Sequence, residues 1–139
     1  MLDVTQIAID GCNMKPPKLY EGLSSRMCWD SVLYCGYLAN RTNEHQDGKS
    51  IISNTARIVT NSGNIPAGAI VGFFDGGNII HAMISLGSGR AAGNKNACIG
   101  IGGPVGWEEL ALPRVGGRGE FVPGGQRRTI VMRYSEVWP

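Results

Sequence analysis

The chain has no Cys-x-x-Cys pair, no uncharged apolar run long enough to cross a membrane, no basic stripe and only two histidines. Each of these gaps removes a class of function. Without Cys-x-x-Cys, zinc-ribbon and thioredoxin-like readings fall away. The longest apolar run, IPAGAIVGFF, is far below the ~20 residues of a spanning helix, so no membrane span is expected. The formal net charge is +2 and its cations are scattered; Arg127-Arg128 stands alone. Nucleic acid is therefore not an expected partner. The start, MLDVTQIAID, has neither a basic n-region nor an apolar h-region. The expectation is a protein that stays in the cytoplasm, leaves by a route that needs no classical signal peptide, or has had its signal removed.

What is present describes one compact domain of 139 residues, with 42% apolar residues for a core and too few charges, 17%, for disorder. Most of the 21 glycines follow residue 63, which implies many tight turns and a β-rich second half. Residues 1–23 read as a loose lead-in broken by KPPK. Residues 24–60 read as helical. In SSRMCWDSVLYCGYLANR, apolar side chains recur at 28, 32, 35 and 39 and again at 29, 33 and 37, the spacing of a helix buried over a wide face. Ser24 or Ser25 is its expected cap and Asn40 its end. A second short helix is expected over 50–60, after a polar loop that carries His45.

From 65 to 139 the period changes to that of strands. Residues 69–74 and 79–86 flank DGGN as a hairpin, GSGR turns the chain back, 97–102 is a third strand, 105–110 a helical turn, and 127–137 a last strand. Residues 103–139 are expected to complete the sheet and wall one side of a groove. Helices followed by an antiparallel meander make the fold class α+β.

The chemistry centres on Cys28. With Ser25 as cap it falls at the third helical position, where unpaired N–H groups and the positive helix end favour thiolate. Such cysteines titrate at about 3.5–7.5. A thiolate needs an imidazole to hold it and later to protonate a leaving group. His45 lies among Glu44 and Asp47 and reads as a solvated residue. His81 opens the strand HAMISL, 53 residues after Cys28; the simple alternative for it is a core histidine with a satisfied hydrogen bond. A third group must fix its tautomer, and AAGNKN offers Asn94 and Asn96. Cys12, Cys35 and Cys98 read as small buried apolar groups. The adjacent Glu108 and Glu109 read as a solvated turn. GSGRAAG leads into a strand rather than a helix, so it is no phosphate loop. Cys28, His81 and His45 lack the short spacings of a metal site.

At these residues a resemblance emerges. IPAGAIVGFFDGGNIIHAMISLGSGRAAG resembles the second half of the NlpC-like cysteine peptidases and amidases, relatives of papain. Pro66, Phe73, Phe74, His81, Ile84, Leu86, Gly87 and Gly89 fall on that family's pattern, and Cys28 matches its cysteine in spacing and context. The CHAP amidases share the order cysteine then histidine; lecithin-retinol acyltransferase relatives reverse it and fit less well. The likeness covers residues 24–96. It departs at the nucleophile, where MCWDSV replaces Asp-Cys-Ser-Gly-Phe, so a cell-wall substrate does not carry over directly.

The resemblance implies a papain-like fold, with N-terminal helices packed on an antiparallel sheet. It implies a cysteine hydrolase acting on an amide bond, with no cofactor. Asn94 takes the third place, Tyr20 lies near the oxyanion, and Trp29, like Trp107, is a candidate wall of the substrate groove. The expected partners are a peptide or protein substrate and a cognate inhibitor or immunity protein, as for a secreted bacterial effector or toxin. The alternatives are a glutamine deamidase or transglutaminase-like enzyme acting on a host protein, and a binding module that keeps the fold without turnover.

Overall fold

A computed structural model describes residues 3–43 and 49–139; His45, with Glu44 and Asp47, lies outside them. The described chain is α+β, with four α-helices and a seven-stranded antiparallel sheet. No described helix is long and apolar enough to cross a membrane.

The first correction to the sequence reading concerns residues 1–23. They hold two helices, α1 (Val4–Cys12) and α2 (Pro17–Ser24). Val4, Ile7, Ala8 and Gly11 are the buried face of α1, a 3.6-residue period that the short segment hid. Asp3 caps it, accepting from the Thr5 N–H at 2.9 Å. KPPK breaks nothing: Pro17 occupies the first helical turn of α2, where its missing N–H costs no hydrogen bond.

α3 spans Cys28–Leu38 and buries Trp29, Val32, Leu33, Cys35 and Gly36. It ends as expected. Asn40 is left-handed (φ 57°), its N–H reaches Tyr37 O and that of Arg41 reaches Gly36 O, a Schellman closure. α4 covers Lys49–Thr55, and the strand β1 (Arg57–Ile58) replaces the rest of the helix expected to residue 60.

The other strands are β2 (Ile70–Asp75), β3 (Asn78–Gly87), β4 (Arg90–Asn94), β5 (Trp107–Ala111), β6 (Glu120–Phe121) and β7 (Ile130–Ser135). Their order is β1-β7-β2-β3-β4-β5, with β6 added to β7. The β2–β3 hairpin and the turn into β4 lie where the sequence put them. Alternate side chains of β2 and β3 feed two cores. Ile70, Ala82 and Ile84 pack with α1 and α3. Val71, Phe73 and Met83 pack on the other face with Ile130 and Met132 of β7.

Two further expectations exchange identities. Residues 97–102 are not a strand: a 3-10 helix covers Asn96–Ile99, between left-handed Lys95 (φ 58°) and Gly100 (φ 74°). Residues 105–110 are not a helical turn: β5 pairs along β4 from Asn94↔Trp107 to Arg90↔Ala111. Glu108 and Glu109 favour helix weakly, and a free strand edge plus burial of Trp107 outweighs them.

One glycine holds the geometry at the end of β4. A Cβ on Gly93 would meet Met83 Cγ at 2.8 Å and Asn96 Oδ1 at 2.9 Å. Gly93→Ala should therefore push Asn96 from its place and cost about 1–3 kcal/mol of stability. Thermal unfolding checks this, and an unchanged Tm would contradict it.

Candidate functional site

The site forms where the sheet comes apart. β4 pairs with β3 through Ile84↔Ala92. Continuing that register sets Asn94, the last residue of β4, level with Ala82. Beyond it the edge of β3 is open, and the start of α3 fills the gap. The Ala82 N–H bonds to the Cys28 sulfur, and Cys28 Sγ lies 4.0 Å from Ile80 O. A helix-borne cysteine thus takes the position of the next residue of a missing strand.

Cys28 stands two places nearer the helix start than the sequence implied. It is the first residue of α3 and not the third, because Met27 is the N-cap and offers no side-chain bond. Ser24 and Ser25 are occupied elsewhere. Ser24 Oγ accepts from the Trp107 N–H at 2.9 Å, and Ser25 Oγ donates to Gly22 O at 3.1 Å. Ser31 N–H closes the first turn on Met27 O, so the N–H groups of Cys28, Trp29 and Asp30 have no partner within the helix.

His81 is buried on β3, with its ring tilted against Phe73 at 5.6 Å between centroids. Its Nε2 lies 2.8 Å from Asn96 Oδ1. The Asn96 amide is oriented by its other bonds: Nδ2 donates to Gly93 O at 3.1 Å and to Glu108 Oε1 at 3.0 Å, both pure acceptors. Oδ1 must then accept from the ring, so Nε2 carries a hydrogen and Nδ1 is the nitrogen turned to Cys98.

The Cys28 thiol is pulled down to a pKa of about 4. The hydrogen bond from Cys98 contributes most; burial opposes it; the hydrogen bond and charge of His81 and the Ala82 N–H add to it. The other cysteines go the opposite way. Burial pushes Cys12 up to about 12 and Cys35 higher still. Cys98 is raised chiefly by its bond to Cys28 and then by burial.

The sequence-predicted residues therefore divide. Cys28 and His81 meet. Asn94 is not the residue that orients the ring. It is fully buried, and its Nδ2 faces the carbonyls of Leu23, Ser24 and Arg26 and the Ser31 hydroxyl. Successive residues of a strand face opposite ways, and the left-handed Lys95 then swings Asn96 back toward His81. Trp29 is core, 7% exposed among Val4, Ile7 and Leu33, and does not line a groove. Trp107 is core too, its Nε1 donating to Ala8 O at 2.9 Å. Tyr20 is half-buried on α2 with its hydroxyl against Gly106; among the described residues it is not one of the groups packed on the Cys28 sulfur.

Two residues taken as structural belong to the site. Cys98 is exposed on the 3-10 helix, with Sγ 3.3 Å from His81 Nδ1. Glu108 is no solvated turn. It faces Asn96 and accepts from the Gly103 N–H, while Glu109, on the other face of β5, pairs with Arg90 at 2.5 Å. Only the strand period of β5 would have separated the two glutamates. Among the described residues no group of three or more His, Cys, Asp or Glu side chains is arranged to hold a metal ion.

Compared with known proteins, the chain matches no family model, no curated protein and no solved structure.

Proposed function

We propose that the protein is a cysteine hydrolase that cleaves an amide bond, built on a papain-like arrangement of the NlpC-like kind. The observation that carries this reading is Cys28 at the start of α3, its sulfur set against β3 beside an imidazole whose far nitrogen is held by Asn96. The thiolate attacks the amide carbonyl. The oxyanion is received by the unpaired N–H groups of the first turn of α3, that of Cys28 foremost. The imidazolium of His81 gives its Nδ1 proton to the departing amine, leaving a thioester on Cys28. The neutral ring then takes a proton from water, which attacks the thioester, and the acid departs with the thiolate restored.

Attack on a glutamine side chain uses the same groups, so the test must read both outcomes. Wild type and Cys28→Ala are incubated with peptidoglycan peptides and with a cell lysate, and the products are read by mass spectrometry. New fragments that Cys28→Ala does not produce mean peptidase or amidase. A gain of about one dalton at glutamine means deamidase by the same nucleophile. Identical spectra from the two proteins would overturn catalysis and leave a binding module.

A further inference from the structure

Hydrolysis requires one sulfur, and the site holds two. Cys98 is the largest influence on the Cys28 thiol, and its own sulfur lies 3.3 Å from Nδ1 of His81, the ring that also acts on Cys28. We propose that Cys28 and Cys98 are a redox pair: a hydroperoxide oxidises Cys28, and Cys98 closes a reversible disulfide that takes the nucleophile out of service. The closure rests on the two sulfurs flanking one residue of β3, Cys98 Sγ at 3.3 Å from His81 Nδ1 and Cys28 Sγ at 4.0 Å from Ile80 O; only its consequence, loss of hydrolysis, rests on the amide-cleavage reading.

The chemistry balances with the groups present and a hydroperoxide as oxidant. The Cys28 thiolate attacks the terminal peroxide oxygen, the O–O bond breaks, and the alkoxide or hydroxide leaves with a proton from the His81 imidazolium. Cys28 is now the sulfenic acid, oxidised by two electrons, and the peroxide is reduced to alcohol or water. Cys98 sulfur then attacks Cys28 sulfur. Its proton passes to His81 Nδ1, the S–OH bond breaks, and the departing hydroxide takes that proton and leaves as water. Two thiols and one hydroperoxide become a disulfide, an alcohol and water.

Position supports the pairing. Closure brings the two sulfurs to about 2.0 Å. Cys98 is the exposed residue of one short helical turn, between the left-handed Lys95 and Gly100 and anchored by buried Asn96 and Ile99, so the movement falls on that turn and not on the sheet. The other thiols are placed to stay out. Cys35 is fully buried with Sγ 3.8 Å from Val4 O, and Cys12 packs against the core beneath α1. Redox-sensing cysteines have the features seen here: an ionised, reachable sulfur next to a resolving thiol.

The test is a peptide map after one equivalent of hydrogen peroxide. Trypsin leaves Cys28 and Cys35 together in residues 27–41 and Cys98 in 96–114, so fragmentation must assign the link. The expected result is a Cys28–Cys98 cross-link within the monomer, reversed by dithiothreitol. In Cys98→Ser, dimedone traps the Cys28 sulfenic acid, and over-oxidation to sulfinic acid is roughly tenfold or more faster than in wild type. Dimedone-labelled or sulfinic Cys28 in wild type with Cys98 still a thiol would overturn the proposal, as would a link found only between two chains. If Cys98→Ser does not fold, the wild-type map decides alone. A disulfide that forms while hydrolysis continues would instead overturn Cys28 as the nucleophile. A missing disulfide beside an inactive Cys28→Ala would sink the redox pair and leave the hydrolase.

Discussion

His81→Ala is expected to lower turnover by about 10²–10⁴-fold while the fold survives. The ring is the base beside Cys28 that can receive a proton and return it near neutral pH. The same substitution should change how the thiol titrates. Cys28 is held near 4 by the bond from Cys98 first and by His81 second. Losing the second of these, with burial still opposing ionisation, moves the pKa up toward the ordinary thiol value of 9.0. The sign is then definite. In wild type the thiolate is already formed well below neutrality, so iodoacetamide labels Cys28 at nearly the same rate at about pH 6 and pH 8. In His81→Ala the rate should fall at the lower pH and recover as the pH rises. Cys12, pushed up to about 12, and the buried Cys35 should label slowly at both. Peptide-resolved alkylation across that range is the measurement. Equal labelling of all four cysteines in wild type would contradict the site.

The second large effect separates two asparagines only two residues apart. Asn96→Ala should fold, keep the affinity for substrate, and lose about 10²-fold in kcat, because the ring is no longer held with Nδ1 toward the sulfur. Asn94→Ala should do the reverse. Its Nδ2 satisfies carbonyls in the turn between α2 and α3, and removing it strands buried acceptors at about 1–3 kcal/mol. Asn94→Asp should be worse, since it sets a carboxylate against the carbonyls of Leu23, Ser24 and Arg26. Thermal melts and steady-state kinetics on the pair make the assignment. A catalytic defect in Asn94→Ala with no change in Tm would reverse it.

The difficulty at Asn94 shows where sequence reasoning stops. A count of residues after His81 chooses between neighbours only if the chain between them is regular. It is not: β4 ends at Asn94, Lys95 is left-handed, and a 3-10 helix begins at Asn96. A lysine at positive φ carries no strong signal, because Gly, Asn and Asp are the residues that favour that region. The same irregularity hid Cys98, which alternation assigned to a strand interior and the 3-10 turn instead delivers to the imidazole.

Trp29 failed for a simpler reason. Adjacency to a reactive residue in sequence is not adjacency on a helix, where the next side chain points about 100° away. Cys28 therefore faces the open edge of β3 while Trp29 faces the core.

The sequence by itself determined the α+β class, the buried helix with its Asn40 closure, the β2–β3 hairpin, the turn into β4, and Cys28 with His81 as the reactive candidates. These rest on local physics: hydrophobic period, glycine turns, and the preference of a helix start for negative charge. Only the tertiary structure decided that β4 ends before the start of β3 is covered, that the sulfur sits in the resulting gap, and that Asn96, itself held by Glu108, and Cys98 meet the ring. Those contacts join segments far apart in the chain, and which partner each polar group finds depends on packing that no single segment encodes.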